Sequence, residues 1–268
     1  MTDGMRTVGL ARDRQGTDRG VPATPRAPDA AVMSSDSTDL IVQARRLRKA
    51  YHGAGDVEAL RGVDLDVRRG EMLALVGPSG SGKTTLLNCL SGLDSFDDGK
   101  VIVDGADLAE MSDRQRTAYR SRNMGFVFQA FNLLPVLTAV ENVEIPLLLA
   151  GVGGGEAHQR ALDMLETLGL AHRAKHRPDQ LSGGEQQRVA VARALVHQPA
   201  VVWADEPTGN LDTEVTQVIV ELLWRMNQGG QTIVLVTHNP QVAERAGRVL
   251  RMRDGRIDQA FARASLGA

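Results

Sequence analysis

Apolar residues recur along this chain in two patterns, and the alternation between them predicts the architecture. Leu40–Ala44 and Val63–Val67 are β-rich runs that predict strands, and Met72–Val76 is a continuous apolar run closed by a glycine-rich turn. Lys83–Leu90 then predicts a helix. Gly125–Phe128, Val201–Ala204 and Thr232–Val236 predict further buried strands, with helical stretches between them. Over Glu156–Leu168 the residues Ala161, Leu162, Leu165 and Leu168 fall on one helical face. Strands alternating with helices predict an α/β core with a mostly parallel sheet. From about Thr138 to Val196 the chain reads as mostly helical, a lobe of its own, and no internal repeat is evident.

Patterned sequence begins near residue 39. Residues 1–38 are rich in Arg, Asp, Gly, Pro, Ser and Thr and nearly free of large apolar side chains, which predicts a disordered tail. This stretch lacks the apolar core of a secretory signal. Met33, just before the patterned region, is an alternative start.

Composition narrows the class. With 268 residues, 42% hydrophobic and 24% charged, the chain can bury a sizeable core. A formal net charge of -2 gives no reason to expect nucleic acid as a partner. One cysteine, Cys89, excludes an internal disulfide and fits a reducing cytosol; among Leu86, Leu87 and Leu90 it reads as a small apolar residue. The most apolar stretch, 133–152, is broken by Glu141, Asn142, Glu144 and Pro146, short of the roughly 20 residues a membrane span needs. A membrane role would therefore be peripheral.

The most specific local signal is Gly77-Pro78-Ser79-Gly80-Ser81-Gly82-Lys83-Thr84, followed by Thr85. The spacing G-x-x-x-x-G-K-[ST] lets the backbone curl so that successive N–H groups face phosphate oxygens, at the positive end of the next helix. Lys83 can reach the β- and γ-phosphates of ATP, and the Thr84 hydroxyl can ligate Mg²⁺. Such a match arises by chance in a chain this long with a probability on the order of 1%. Here it also sits between a strand and a helix.

Val201–Ala204 ends in Asp205-Glu206. Beside a phosphate loop the two carboxylates take separate roles: Asp205 can hold Mg²⁺, and Glu206 can orient and deprotonate the attacking water.

With these residues in view, Leu181-Ser182-Gly183-Gly184-Glu185-Gln186-Gln187-Arg188 resembles the signature motif of the ATP-binding-cassette ATPases. Ser182, Gly183 and Gly184 would open a helix and offer a second N-terminus to an anion. An N-cap accounts for Ser182 alone but not for paired glycines in a first turn. The resemblance covers about residues 40–257 and implies an ATPase domain at 39–260, with 261–268 left as a C-terminal tail. It implies a phosphate-loop core, an N-terminal antiparallel β subdomain and a helical signature lobe at about 138–196. It also implies a head-to-tail homodimer in which the signature of one subunit covers ATP held by the other.

The resemblance assigns further positions. Tyr51 lies where an aromatic ring stacks on adenine. Gln129 matches the glutamine that senses Mg²⁺ and water, and His238 the switch histidine that contacts γ-phosphate and steadies Glu206. Asp212 matches a loop that communicates across the dimer, although an N-cap explains it equally well. Trp203 is bulkier than the aliphatic residue expected in its place.

Phe131-Asn132-Leu133-Leu134-Pro135, Leu137–Val143 and Gly209–Asp212 resemble the bacterial branch containing macrolide-exporter, lipoprotein-release and cell-division ATPases. That branch implies an integral membrane permease as partner, and a place on the inner face of the cell membrane. Two classes stay open: an energy-coupling subunit for export, or a regulatory ATPase that activates a membrane partner. A DNA-repair or translation relative fits less well, because no coiled-coil insertion or second cassette is present. Phe131, Leu133 and Leu134 would either form a docking groove for the permease or belong to the core.

Overall fold

The structure, a computed structural model, describes Met1 and residues 39–52 and 55–262. The rest of the expected N-terminal tail, including Met33, and residues 263–268 lie outside the described residues.

In chain order, β1 (Leu40–Tyr51) and β2 (Val57–Arg68) precede β3 (Met72–Val76) and α1 (Lys83–Leu90). Next come β4 (Asp98–Val103), β5 (Ala106–Asp107), α2 (Asp113–Asn123) and β6 (Met124–Phe128). Three helices follow: α3 (Ala139–Leu149), α4 (Gly154–Thr167) and α5 (Gly183–Leu195). The chain then forms β7 (Val201–Asp205), α6 (Thr213–Gln228), β8 (Thr232–Val236) and the short α7 (Pro240–Ala243). It finishes with β9 (Arg248–Arg253) and β10 (Arg256–Ala262), the latter running past residue 260, where the tail was expected to begin.

Two sheets result. One is antiparallel, in the order β2-β1-β4-β5. The other has the order β10-β9-β3-β8-β7-β6, parallel from β9 to β6 with β10 folded back antiparallel on β9.

The central strands are buried on both faces, which is why they read as continuous apolar runs. Side chains nevertheless divide by the two-residue period. Met72, Ala74, Val202, Ala204, Ile233 and Leu235 join the core formed with α3, α4, α5 and α6. Leu73, Leu75, Val201, Trp203, Val234 and Val236 join a second core with α1 and the antiparallel sheet. Trp203 is accommodated there, fully buried, although its indole N–H finds no hydrogen-bond partner. Cys89 is buried in the same cluster, and burial pushes its thiol up to about 12, so it packs as a small apolar side chain.

The helical stretch is held by caps rather than by long helices. Thr138 with Glu141, and Ser182 with Glu185, form reciprocal capping boxes that start α3 and α5. Asn142, a break in the apolar pattern, is fully buried; its amide bonds Leu134, Leu137 and Thr138, stapling the preceding loop. In contrast, α2 buries none of its residues, so it had no apolar period to announce it.

The strand β6 approaches α5 closely, and a glycine allows it. A Cβ on Gly125 would collide with the Ala194 carbonyl. Gly125→Ala should therefore destabilise the chain by about 1–3 kcal/mol, the usual cost of overpacking, in chemical denaturation. An unchanged midpoint would contradict this close approach.

Candidate nucleotide site

The parallel sheet brings its functional loops to one edge, because β3, β7 and β8 are parallel neighbours that all end there. The loop after β3 carries Gly77–Gly82 into α1, the loop after β7 carries Glu206, and the loop after β8 carries His238.

The glycines are dictated by space and by dihedral angle. Gly77 has φ 151°, and a Cβ there would strike the Met252 carbonyl. Gly82, the residue before α1, has φ 98°, and its Cβ would lie 2.5 Å from the Ala59 carbonyl oxygen. The loop is thus wedged between β2 and β9. The turn between β9 and β10 braces it further: the Gly255 N–H donates to the Ser81 carbonyl at 3.1 Å.

Lys83 folds back over this loop, donating to the carbonyls of Gly77 and Pro78 at 2.9 Å each. The Thr84 hydroxyl donates to Asp205 Oδ1 at 3.1 Å. Burial raises the Asp205 pKa and the neighbouring charge of Glu206 adds to this, against the opposing Thr84 bond and Lys83 charge. Glu206 sits in the left-handed region at φ 47°, a strain on the order of 1–3 kcal/mol for such a residue. Its carboxylate lies 2.9 Å from His238 Nδ1 and accepts from the His238 backbone N–H at 3.3 Å.

An open cleft of about 560 Å³ collects much of the expected site. Tyr51, Gly77, Ser79, Gly80, Gly82, Lys83, Thr84, Thr85, Glu206 and His238 line it; Pro78, Ser81 and Asp205 are not among its lining residues. Tyr51 is half-exposed at the end of β1, its hydroxyl donating to Asp94 at 2.7 Å and Lys49 Nζ lying 5.1 Å from its ring centre. The sequence reading had missed Asp94 and the turn at Asp254-Gly255, although Asp-Gly between two patterned runs is itself a hairpin signal.

Other expected residues lie elsewhere. Gln129 donates to the Asn210 side chain at 3.1 Å and is not among the lining residues. Nor are Ser182, Gly183 and Gly184. Ser182 caps α5, accepting from the Glu185 N–H at 3.3 Å. Gly184 has a packing reason within its own chain, since a Cβ there would lie 2.5 Å from Val215 of α6. Gly183 has room, its Cβ meeting nothing closer than 3.5 Å. Asp212 is an N-cap, accepting from the Val215 N–H at 2.9 Å.

Comparison with known proteins agrees with this geometry. A family profile described as "ABC transporter" matches residues 60–209. The chain belongs to the ABC transporter family, among its ATP-hydrolysing subunits.

An ABC transporter ATP-binding protein of Thermotoga maritima is 51% identical over 77% of this chain and 88% of that protein. The lipoprotein-releasing system ATP-binding protein LolD of Legionella pneumophila is 48% identical over 82% of this chain and 97% of its own length. Among solved structures, a dimeric post-hydrolysis state of the ATP-binding cassette MJ0796, bound to ADP and Pi, superposes with a TM-score of 0.78. It is 40% identical and covers 84% of this chain and 99% of that one. The fold is accordingly that of an ABC ATPase, with the antiparallel sheet and helices that the signature motif implied.

The raised pKa of Asp205 has a consequence for stability. A carboxyl whose folded pKa exceeds its unfolded value of 3.8 binds protons more tightly when folded. Its ionisation therefore costs stability progressively as pH rises from about 4 through the raised value. Asp205→Asn should raise the unfolding midpoint of the nucleotide-free chain at pH 7, with the gain shrinking as pH falls through the raised value and gone below about 4. A lowered midpoint at pH 7 would contradict this.

Proposed function

We propose that this chain binds ATP with Mg²⁺ in the cleft, hydrolyses it as one half of a head-to-tail homodimer, and transmits closure to a membrane permease. One observation carries the reading. The phosphate loop with Thr84, and Glu206 with His238, share one cleft, and Asp205 joins it through its bond from Thr84, whereas the N-terminus of the signature helix, a second anion-binding end, is absent from it. A complete site then needs Ser182, Gly183 and Gly184 from a second copy.

The roles follow from the groups present. Lys83 would exchange the Gly77 and Pro78 carbonyls for β- and γ-phosphate oxygens. Backbone N–H groups from Ser79 to Thr85 would hold the remaining phosphate oxygens, and the Tyr51 ring would stack on adenine. Thr84 and Asp205 form a hard oxygen pair that suits Mg²⁺, and Gln129 would complete it on leaving Asn210. The cation supplies charge neutralisation at the β- and γ-phosphates. Glu206 would take the proton from the attacking water, held in place by His238.

For the partner, a second cleft of about 360 Å³ lies between β6 and the helices, lined by Met124, Phe126, Phe128, Pro146 and Leu149 among others. Leu134, Val136, Leu148 and Leu149 are exposed apolar residues, while Phe131 and Leu133 are half-buried. Such a surface suits an amphipathic helix of a permease. No helix among the described residues is long and apolar enough to cross a membrane. The likeness to LolD, a subunit of a lipoprotein-releasing system, favours attachment to a permease on the cytoplasmic face. The LolD likeness favours a permease that exports or releases lipids or lipoproteins over a purely regulatory role.

Complementation tests the shared site. Ser182→Arg and Glu206→Gln chains should each be nearly inactive alone. Mixed, they form one intact site from Glu206 of the first and Ser182 of the second, so ATPase activity should reappear. A mixture no more active than its components would contradict the proposal.

A further inference from the structure

The only fully buried polar side chain on α5 is Gln187, and it does not face the cleft. Its amide Nε2 donates to the Pro207 carbonyl at 2.5 Å and to the Phe128 carbonyl at 3.5 Å. Because both partners are acceptors, they fix which end of the amide is the donor. Pro207 directly follows Glu206, and Phe128 directly precedes Gln129.

The loop that Gln187 grips needs holding. Glu206 occupies the left-handed region at φ 47°, kept there by its N–H bond to Val236 at 3.0 Å and by the Gly209 N–H bond to its own carbonyl at 3.0 Å. Those two bonds fix the loop to β8 and to itself. Gln187 adds a tie to α5, in a site where a donor is expensive to lose. A carbonyl left buried without its partner is costly, on the same scale as the backbone strain beside it.

We infer that Gln187 is a positioning residue for Glu206 of its own chain, although the helix carrying it serves the nucleotide held by the other chain. The inference rests on the shared-site reading. It deepens that reading by tying the helix that opens at Ser182 to the loop that carries Glu206 of the same chain. No side chain of Gln187 touches substrate.

The test places Gln187→Met, similar in size but without a donor, in the complementing mixture. In that mixture the working site takes Glu206 from the Ser182→Arg chain and Ser182 from the Glu206→Gln chain. With Gln187→Met on the chain that supplies the working Glu206, kcat should fall about 10- to 100-fold with KM little changed, the scale of a mispositioned group. With Gln187→Met on the chain that supplies the working Ser182, activity should stay within about twofold of the parent mixture.

Loss confined to the second arrangement, equal loss in both, or loss in neither would overturn the assignment. Gln187→Glu, which keeps the length but presents acceptors, is used in the same way if the methionine variant does not fold. A parent mixture without restored activity would mean that the shared-site reading has failed. The Gln187 assignment would then be judged on the single variant, and an unchanged kcat would overturn it.

Discussion

A phosphate loop can gather backbone N–H groups around an anion only if its backbone is held in a shape that side chains would forbid. Here that shape is imposed from outside the loop. Gly77 lies against the Met252 carbonyl, Gly82 against the Ala59 carbonyl, and Gly255 donates to Ser81. The antiparallel sheet and the β9–β10 hairpin therefore act as two jaws on the loop. This explains why residues so distant in sequence converge on one short segment. It also explains why a parallel sheet of buried strands is the right support: β3, β7 and β8 deliver Lys83, Asp205, Glu206 and His238 to a single edge without further adjustment.

The signature helix shows how one residue can answer two demands. Ser182 is an ordinary N-cap and Gly184 makes room for Val215, so both have reasons to exist within a single chain. Gly183 has no such reason, and the N-terminus of α5 stays outside the cleft it resembles in chemistry. Paired glycines at a helix start are thus only half explained by packing. The other half is the access a phosphate would need.

Much of this was legible in the sequence because the core strands are buried on both faces and the phosphate loop has fixed spacing. Met72–Val76 and Lys83–Leu90 were read with the bounds they have in the structure. What escaped was polar. The helix α2 buries nothing and left no period, β4 and β5 lie between turns, and β9 is rich in arginine. Asn142 looked like a break in an apolar run but is the buried staple of the loop before α3. Gln187 was read only as a member of the signature motif, and the tertiary fold singles it out by burying its amide against Pro207. Gln129 was read as a site residue, and it bonds the Asn210 side chain.

The central claim is that two copies of this chain complete each other's sites around ATP. The most direct measurement is the mass in solution of the Glu206→Gln chain, with and without ATP and Mg²⁺. Removal of the base should leave nucleotide binding intact and hydrolysis nearly abolished, so ATP should convert monomer into a stable dimer. A chain that binds ATP but stays monomeric, both alone and with its permease present, would contradict the account.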